Sequence, residues 1–342
     1  MRGSEKPTSF DIAYLAGVSQ PTVSRALRGS PAVSEHTRKR VEAIARQLNY
    51  KVDKNASNLR SQQSNTLALL FFDDPTSDDS HINPFFLAML GSITRACAQH
   101  GYDLLISFQQ LSGDWHVDYE DSRKADGIIL LGYGDYVEYA PLLERLIRQR
   151  THFVRWGAAE GHLGTMVGCD NRQGGRDAVR HLLSLGRQRI AFLGTASDHY
   201  PEFLARYEGY AEALREAGRP VQPVYQVDAL STQDDGRTAM ATLFERGLAV
   251  DAVFAASDLI AIGAMRYCQE QGLNVPSDIA FVGFDDIPIA AFTAPALTTV
   301  VQDVALAGRT LVETLIALIR NQPVAHRMLP TRLVVRQSST AV

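Results

Sequence analysis

The 342-residue chain has little cysteine and little tryptophan, three residues of the first and two of the second. Cys97, Cys169 and Cys268 are widely separated, odd in number and set in apolar segments, which excludes a disulfide framework and a CxxC metal site; buried free thiols are expected. No apolar run approaches the roughly 18 residues that a membrane-spanning helix needs, and the start "MRGSEKPTSF" lacks the apolar core of a signal peptide. A cytoplasmic protein is the expectation. Also missing are GxGxxG after a strand, GxxxxGK[ST], HExxH and GxSxG, and the acidic pair Asp285-Asp286 has no partner motif. "CDNRQGG" offers glycines without the lysine of a phosphate loop, so no catalytic residue, cofactor or metal ligand is assigned.

What is present is an uneven charge distribution. The formal net charge is -4, yet residues 1–61 hold 11 Lys and Arg against 5 Asp and Glu, leaving 23 against 33 for the remainder. A basic head precedes an acidic body.

Punctuation in the head marks three short helices. Thr8 with Asp11 three residues on forms a capping box, and Ile12, Leu15 and Ala16 make its apolar side. Ala16-Gly17-Val18 is a turn, and Ser19 caps a second helix that tolerates Pro21 in its first turn, where main-chain donors have no intrahelical partner. Gly29 and Pro31 end it, Ser34 caps a third helix, and Val41, Ile44, Ala45 and Leu48 recur at helical spacing. Two helices joined by a short glycine turn form a helix-turn-helix, whose second helix enters the major groove of DNA. Gln20, Pro21, Thr22, Ser24 and Arg25 face solvent on that helix; arginine pairs bidentately with guanine edges, and hydroxyls suit phosphates or bases. A small bundle with a solvated polar face fits the same pattern.

"DIAYLAGVSQPTVSRALRGSPAVSEHTRKRVEAIARQLNY" resembles, without a gap, the DNA-binding headpiece of the lactose/galactose-repressor (LacI/GalR) family, through "AGVS", "TVSR.L", "VS..TR..V" and "LNY". The resemblance implies base contacts from Gln20, Pro21 and Arg25, with Pro21 limited to apolar contact, and phosphate contacts from Thr8, Thr22, Ser24, Ser34 and Thr37. The polar stretch "VDKNASNLRSQQSNT" reads by composition as a flexible linker. The family reading is a hinge helix that folds on DNA, with Leu59 as a minor-groove wedge and Ala56 on the backbone. Val52 and Ser57 replace the usual proline and arginine there.

After Thr66 the pattern changes to strand-helix units. "TLALLFF", "DLLISF", "DGIILLG", "HFVRW", "RIAFLG", "DAVFAA" and "DIAFVGF" are short apolar runs of the kind buried in parallel sheets, most of them followed by an amphipathic stretch. An α/β fold is expected: an all-α helix-turn-helix headpiece, then a two-lobed core of doubly wound parallel sheets with a ligand cleft at the strand C-termini. The resemblance extends here through "INPFF", "ADGIILLG", "AASDLIAIGAM", "FVGFDDIP" and "LPTRLVVRQS", and implies a periplasmic-binding-protein-like core crossed three times by the chain. The expected division is 1–51 for the headpiece and 52–65 for the hinge. The first lobe is expected at 66–160 with 288–320 and the second at 161–287 with 321–342.

By family position Phe85, Phe86, Arg155, Trp156, Arg206, Ser257, Asp258 and Asp285 would hold a small effector. Aromatic faces and paired arginine and aspartate groups suit a saccharide, although Phe85 and Phe86 also fit a helix core, Arg206 a surface ion pair and Asp285 a turn. Trp115 and His162 stand in loops near the same cleft. The resemblance thus implies a regulator, expected to be a repressor, that binds a pseudo-palindromic double-stranded operator as a homodimer. Its pairing face is expected on the helix after "INPFF" and within "RYEGYAEALREAG", stretches that serve equally well as sheet-packing surfaces. No membrane association is expected, nor a tetramer built on a C-terminal heptad segment. A purine-responsive regulator and a sugar-binding protein without a transcriptional role are the alternatives.

Overall fold

The computed structural model describes residues 7–27, 29–50, 63–72, 82–109, 113–132, 134–158 and 163–340. The chain falls into two compact units, residues 1–64 and 65–342.

In the first unit three helices share one small core. Helix α1 (Ser9–Ala16) begins at the expected capping box: the Thr8 hydroxyl accepts from the Asp11 N–H, and the Asp11 carboxylate accepts from the Thr8 N–H at 2.7 Å. These bonds from Thr8 hold the Asp11 carboxyl below its ordinary range. Gly17, at φ 58°, takes the left-handed step that ends the helix and sets the turn into α2 (Gln20–Leu27). Ser34 caps α3 (Glu35–Gln47) through the Thr37 N–H. Ile12, Val23 and Val41 are fully buried where the three helices meet, with Ile44 and Leu48 packed against them. Leu15, expected on the apolar side, is exposed instead, the buried side of α1 being formed by Ile12, Ala13 and Ala16.

The second unit holds two six-stranded sheets. The elements of the first lobe are β1 (Thr66–Phe72), α4 (Pro84–Gln99), β2 (Asp103–Gln109), β3 (Gly127–Leu131), α5 (Tyr136–Arg148), β4 (Phe153–Trp156) and β5 (Thr165–Cys169). Then follow α6 (Asn171–Ser184), β6 (Ile190–Leu193), α7 (Pro201–Glu216), β7 (Gln226–Val227), α8 (Gln233–Glu245), β8 (Ala252–Ala255), α9 (Asp258–Glu270), β9 (Ala280–Asp285) and β10 (Thr298–Gln302) in the second. The chain returns to the first lobe with α10 (Val304–Ile319) and β11 (Arg327–Leu329), and ends in the second with β12 (Thr331–Val334). The sheet orders are β11-β5-β4-β3-β1-β2 and β12-β10-β9-β8-β6-β7, parallel throughout except for the antiparallel β10–β12 pair.

The seven apolar runs singled out above all form strands, while β5, β7, β10, β11 and β12, shorter or more polar, were not among them. The same strands move the lobe boundaries. The crossings lie at 169–171, 302–304 and 329–331, not at 160/161, 287/288 and 320/321. A strand committed to one ladder cannot change sheet midway, so each crossing waits for a strand to finish. The glycine-containing stretch near residue 160 only joins β4 to β5 within one sheet.

Glycines set a close helix contact beside the site. A Cβ on Gly175 of α6 would run into the main-chain oxygen of Arg206, and one on Gly209 of α7 into that of Arg172. The α6–α7 pair therefore packs backbone to backbone and brings Arg206 against the start of α6. Ala211, Ala213 and Leu214 of α7 are buried in the large core cluster, which is the sheet-packing role for "RYEGYAEALREAG"; the helix also carries Glu212 and Glu216, paired with Arg176 and Arg180 at 2.7 Å each. All three cysteines are buried and unbridged, and burial pushes the thiols of Cys97 and Cys268 up to about 11 and about 12. Among the described residues no helix is long and apolar enough to cross a membrane, and no cluster of His, Cys, Asp and Glu has metal-site geometry.

Candidate nucleic-acid interface and interlobe site

On the headpiece, α2 presents Pro21 and Arg25 to solvent one turn apart, with Gln20, Thr22 and Ser24 half-buried beside them. Val23 and Ala26 point the other way into the core, so the spacing that buries them is what exposes Arg25. The start of α2 is braced twice: Ser19 Oγ lies 2.9 Å from Thr22 Oγ1, and Gln20 Nε2 donates to Ser9 Oγ at 3.2 Å. Thr8 and Ser34, the caps of α1 and α3, are exposed, and Thr37 Oγ1 lies 2.9 Å from Ser34 Oγ. The first turns of all three helices thus carry hydroxyls and main-chain N–H donors, the groups that hold phosphate oxygens. Ala56 and Leu59 of the expected hinge lie outside the described residues, as does His162.

Between the lobes the charged residues form a buried cluster. Arg206 has no solvent exposure, and its guanidinium lies 3.8 Å from the centre of the Phe284 ring. Its Nε donates to Asn171 Oδ1 at 2.8 Å, its Nη1 donates to the Ala256 carbonyl, and Asp285 Oδ1 is 3.6 Å from Nη1. Gln302 Nε2 donates to the same Asp285 oxygen at 2.6 Å. A carboxylate only accepts, so this bond orients the amide and leaves Gln302 Oε1 buried without a partner among the described residues. Asp285 sits at φ 113° and Asp286 at φ 54°, a left-handed main chain costing of order 1–3 kcal/mol per residue. Arg336 steadies the turn, with Nη2 on Asp286 Oδ1 at 2.7 Å.

Asp258 belongs to the framework behind this cluster. Thr299 Oγ1 donates to one of its oxygens at 2.5 Å and the Ile287 N–H to the other at 2.8 Å, tying α9 to the turn after β9. Complete burial, and then the neighbouring Asp285 charge, push its carboxyl well above the ordinary range. Ser257, the α9 cap, accepts from Ser231 Oγ at 2.8 Å. Ser231 in turn accepts from Asn83 of the first lobe at 3.1 Å, so one polar chain links the lobes.

The first lobe contributes an aromatic wall and a second guanidinium. Phe85 and Phe86 open α4 with ring centres 5.1 Å apart, and Phe85 lies 6.0 Å from Trp156; all three are buried in a core cluster that runs through both lobes. Arg155 gives Nε to the Leu163 carbonyl at 2.9 Å and Nη2 to the Ala158 carbonyl at 3.1 Å, and so organises the β4–β5 connection. Trp115 is buried against Phe72 in a separate cluster of the first lobe. A cavity of about 510 Å³ opens beside the charged cluster, between Ala158 and Met328 of the first lobe and Asn171, Pro201 and Leu204 of the second.

Of the eight residues expected to hold an effector, Arg206 and Asp285 are thus in direct contact, Phe85 packs edge-on or tilted against Phe86 and Trp156, and Arg155, Ser257 and Asp258 serve chiefly to fix loops and helix ends. Asn171, Gln302 and Glu202 were not anticipated. The signal for Glu202 is its place four residues before Arg206, on the same face of α7. Asn171 and Gln302 each border a lobe crossing, which apolar periodicity does not mark.

Two features therefore occur on one chain, a helix-turn-helix with an exposed arginine and a buried polar site between two lobes. Residues 10–53 match the family described as "Bacterial regulatory proteins, lacI family", and residues 179–339 match "Periplasmic binding protein-like domain". The regulator CelR of Thermobifida fusca is 32% identical over 99% of this chain and 100% of its own length. A CelR–cellobiose complex superimposes with a TM-score of 0.72 at 30% identity, over 97% of this chain and 99% of the other. The lac repressor dimer bound to operator and the anti-inducer ONPF gives a TM-score of 0.82 at 27% identity, over 98% and 100%. The chain belongs to the lacI family of bacterial regulatory proteins.

Proposed function

We propose that this protein is a cytoplasmic, homodimeric repressor that binds a pseudo-palindromic operator and is controlled by a saccharide held between the lobes. Gln20, Pro21 and Arg25 read bases, with Leu59 as the minor-groove wedge. Thr8, Thr22, Ser24, Ser34, Thr37 and Ala56 contact the backbone. The observation that carries this reading is the exposed Pro21–Arg25 row on a helix otherwise locked into a core. One headpiece makes too few contacts to rise above non-specific phosphate binding, and two-fold pairing supplies the rest.

Exposed apolar groups mark the pairing face. Ile106 and Phe108 on the edge strand β2 and Leu87 of α4 are exposed, and Phe292 after β9 is 84% exposed. This keeps the helix after "INPFF" in the interface and substitutes β2 for the buried face of α7. The saccharide assignment is supported by the cellobiose-bound relative and by the pairing of the aromatic wall with the Arg206–Asp285–Gln302 network. Effector binding changes the relative placement of the lobes, with a coupling of about 1–3 kcal/mol. The test is fluorescence anisotropy of full-length protein on fragments of its own genome, with bulk DNA as competitor.

A further inference from the structure

We infer that the effector is an uncharged saccharide and that Glu202 is the residue that excludes phosphorylated and acidic sugars. The inference rests on the saccharide reading above and narrows it.

Glu202 is buried, and it lies one turn before Arg206 on the same face of α7. Its Oε1 accepts from the Ala158 N–H across the lobe boundary at 3.1 Å. A Cβ on Gly157 would stand 2.9 Å from that oxygen and 2.5 Å from Arg155 Nη1, so only glycine leaves room for the two charged groups there. Glu202 thereby reaches the Gly157–Ala158 segment of the first lobe and shares a helix face with Arg206 in the second.

The surrounding charge is already committed. Arg206 is engaged by Asp285, Asn171 and the Ala256 carbonyl, and Arg155 by two main-chain carbonyls. The adjoining cavity is lined by Asp170, Asp198 and Glu208 as well as Arg172 and Arg176, and both of these arginines are paired with Glu212. A phosphate or carboxylate brought into this space meets Asp170, Asp198 and Glu208 on its walls, with the Glu202 carboxylate directly behind the lining residue Ala158, and finds its nearest cations already paired. In a water-poor cleft, like charges at contact distance repel far more than in bulk water. A neutral polyol meets carboxylates that accept from its hydroxyls.

Titration calorimetry of the full-length protein tests this with neutral pentoses, hexoses and disaccharides, cellobiose included, beside their phosphates and uronic acids and a set of purine bases. The expected result is binding of a neutral sugar, with its phosphate weaker by roughly tenfold or more. Glu202→Gln, which keeps an oxygen for the Ala158 N–H and removes the charge, is expected to narrow that ratio; an unchanged ratio in a variant that thermal unfolding shows to be folded overturns the role of Glu202, and the wild-type ratio alone decides whether the effector is uncharged. Binding of an anionic sugar as tightly as its neutral parent overturns the inference and leaves the saccharide reading intact. Heat from purines alone, or from nothing in the panel, overturns both.

Discussion

Arg206 and Asp285, from a helix and a strand end of the same lobe, meet at 3.6 Å with neither side chain open to solvent. A buried pair of this kind contributes little net stability while intact, because both ions have lost their water, but removal of one partner strands the other. Asn171 and Gln302 complete the shell and lie at the first two lobe crossings. The pair is thus connected to the segments at which the chain passes from one lobe to the other.

Arg206→Ala is expected to abolish effector binding and to lower the stability of the core by about 3 kcal/mol or more, since Asp285 is left buried and unpaired. Denaturant unfolding and calorimetry on the same preparation measure both effects. Unchanged stability would mean that Asp285 finds another partner.

Gly175→Ala acts one step further out. The new methyl group has to displace the main chain at Arg206, at a cost of about 1–3 kcal/mol, and moves the guanidinium away from Asn171. Weaker effector binding together with a lower melting temperature is the expected signature.

His152 gives the core a pH-dependent element. A hydrogen bond from its side chain to Glu120 raises its pKa above the ordinary 6.5, against the opposing effect of burial. A folded-state pKa above the unfolded one means that the stabilisation is complete below pH 6.5 and is lost as the pH rises through the folded value. The difference in melting temperature between wild type and His152→Gln is therefore expected to be larger at low pH than at high pH. A pH-independent difference would contradict the assignment to this ion pair.

Arg25→Ala is expected to reduce operator preference by about tenfold or more while non-specific binding and core unfolding stay the same. Competition binding on operator and random DNA separates the two contributions. Retained selectivity would remove Arg25 from the reading helix.

Much of this was legible in the sequence because local chemistry determined it. Thr8 with Asp11, the turn at Gly17 and the cap at Ser34 each specify a helix end through groups only a few residues apart, and all three occur as expected. The buried strands showed for a similar reason: a parallel strand covered on both faces is a continuous apolar run. The lobe crossings did not show, because membership of one sheet or the other is a long-range property. Glu202 and Gln302 were hidden for the same reason. Each carries no motif and acquires its meaning from a partner brought in from elsewhere in the chain, the Ala158 N–H and the Asp285 carboxylate. Arg155 and Asp258 show the converse, since residue type and family position marked them for an effector while their donors and acceptors are taken up by the protein's own loops.

The central claim is that a headpiece reading DNA is governed by a sugar held between the lobes. The most direct test is the affinity of the full-length protein for its preferred genomic fragment, measured against bulk DNA with and without the neutral sugar found by calorimetry. The account predicts a preference of about a thousandfold or more for that fragment, and a shift of about 5–150-fold when the sugar is added. Equal binding to all DNA, whether or not any sugar is present, would contradict it.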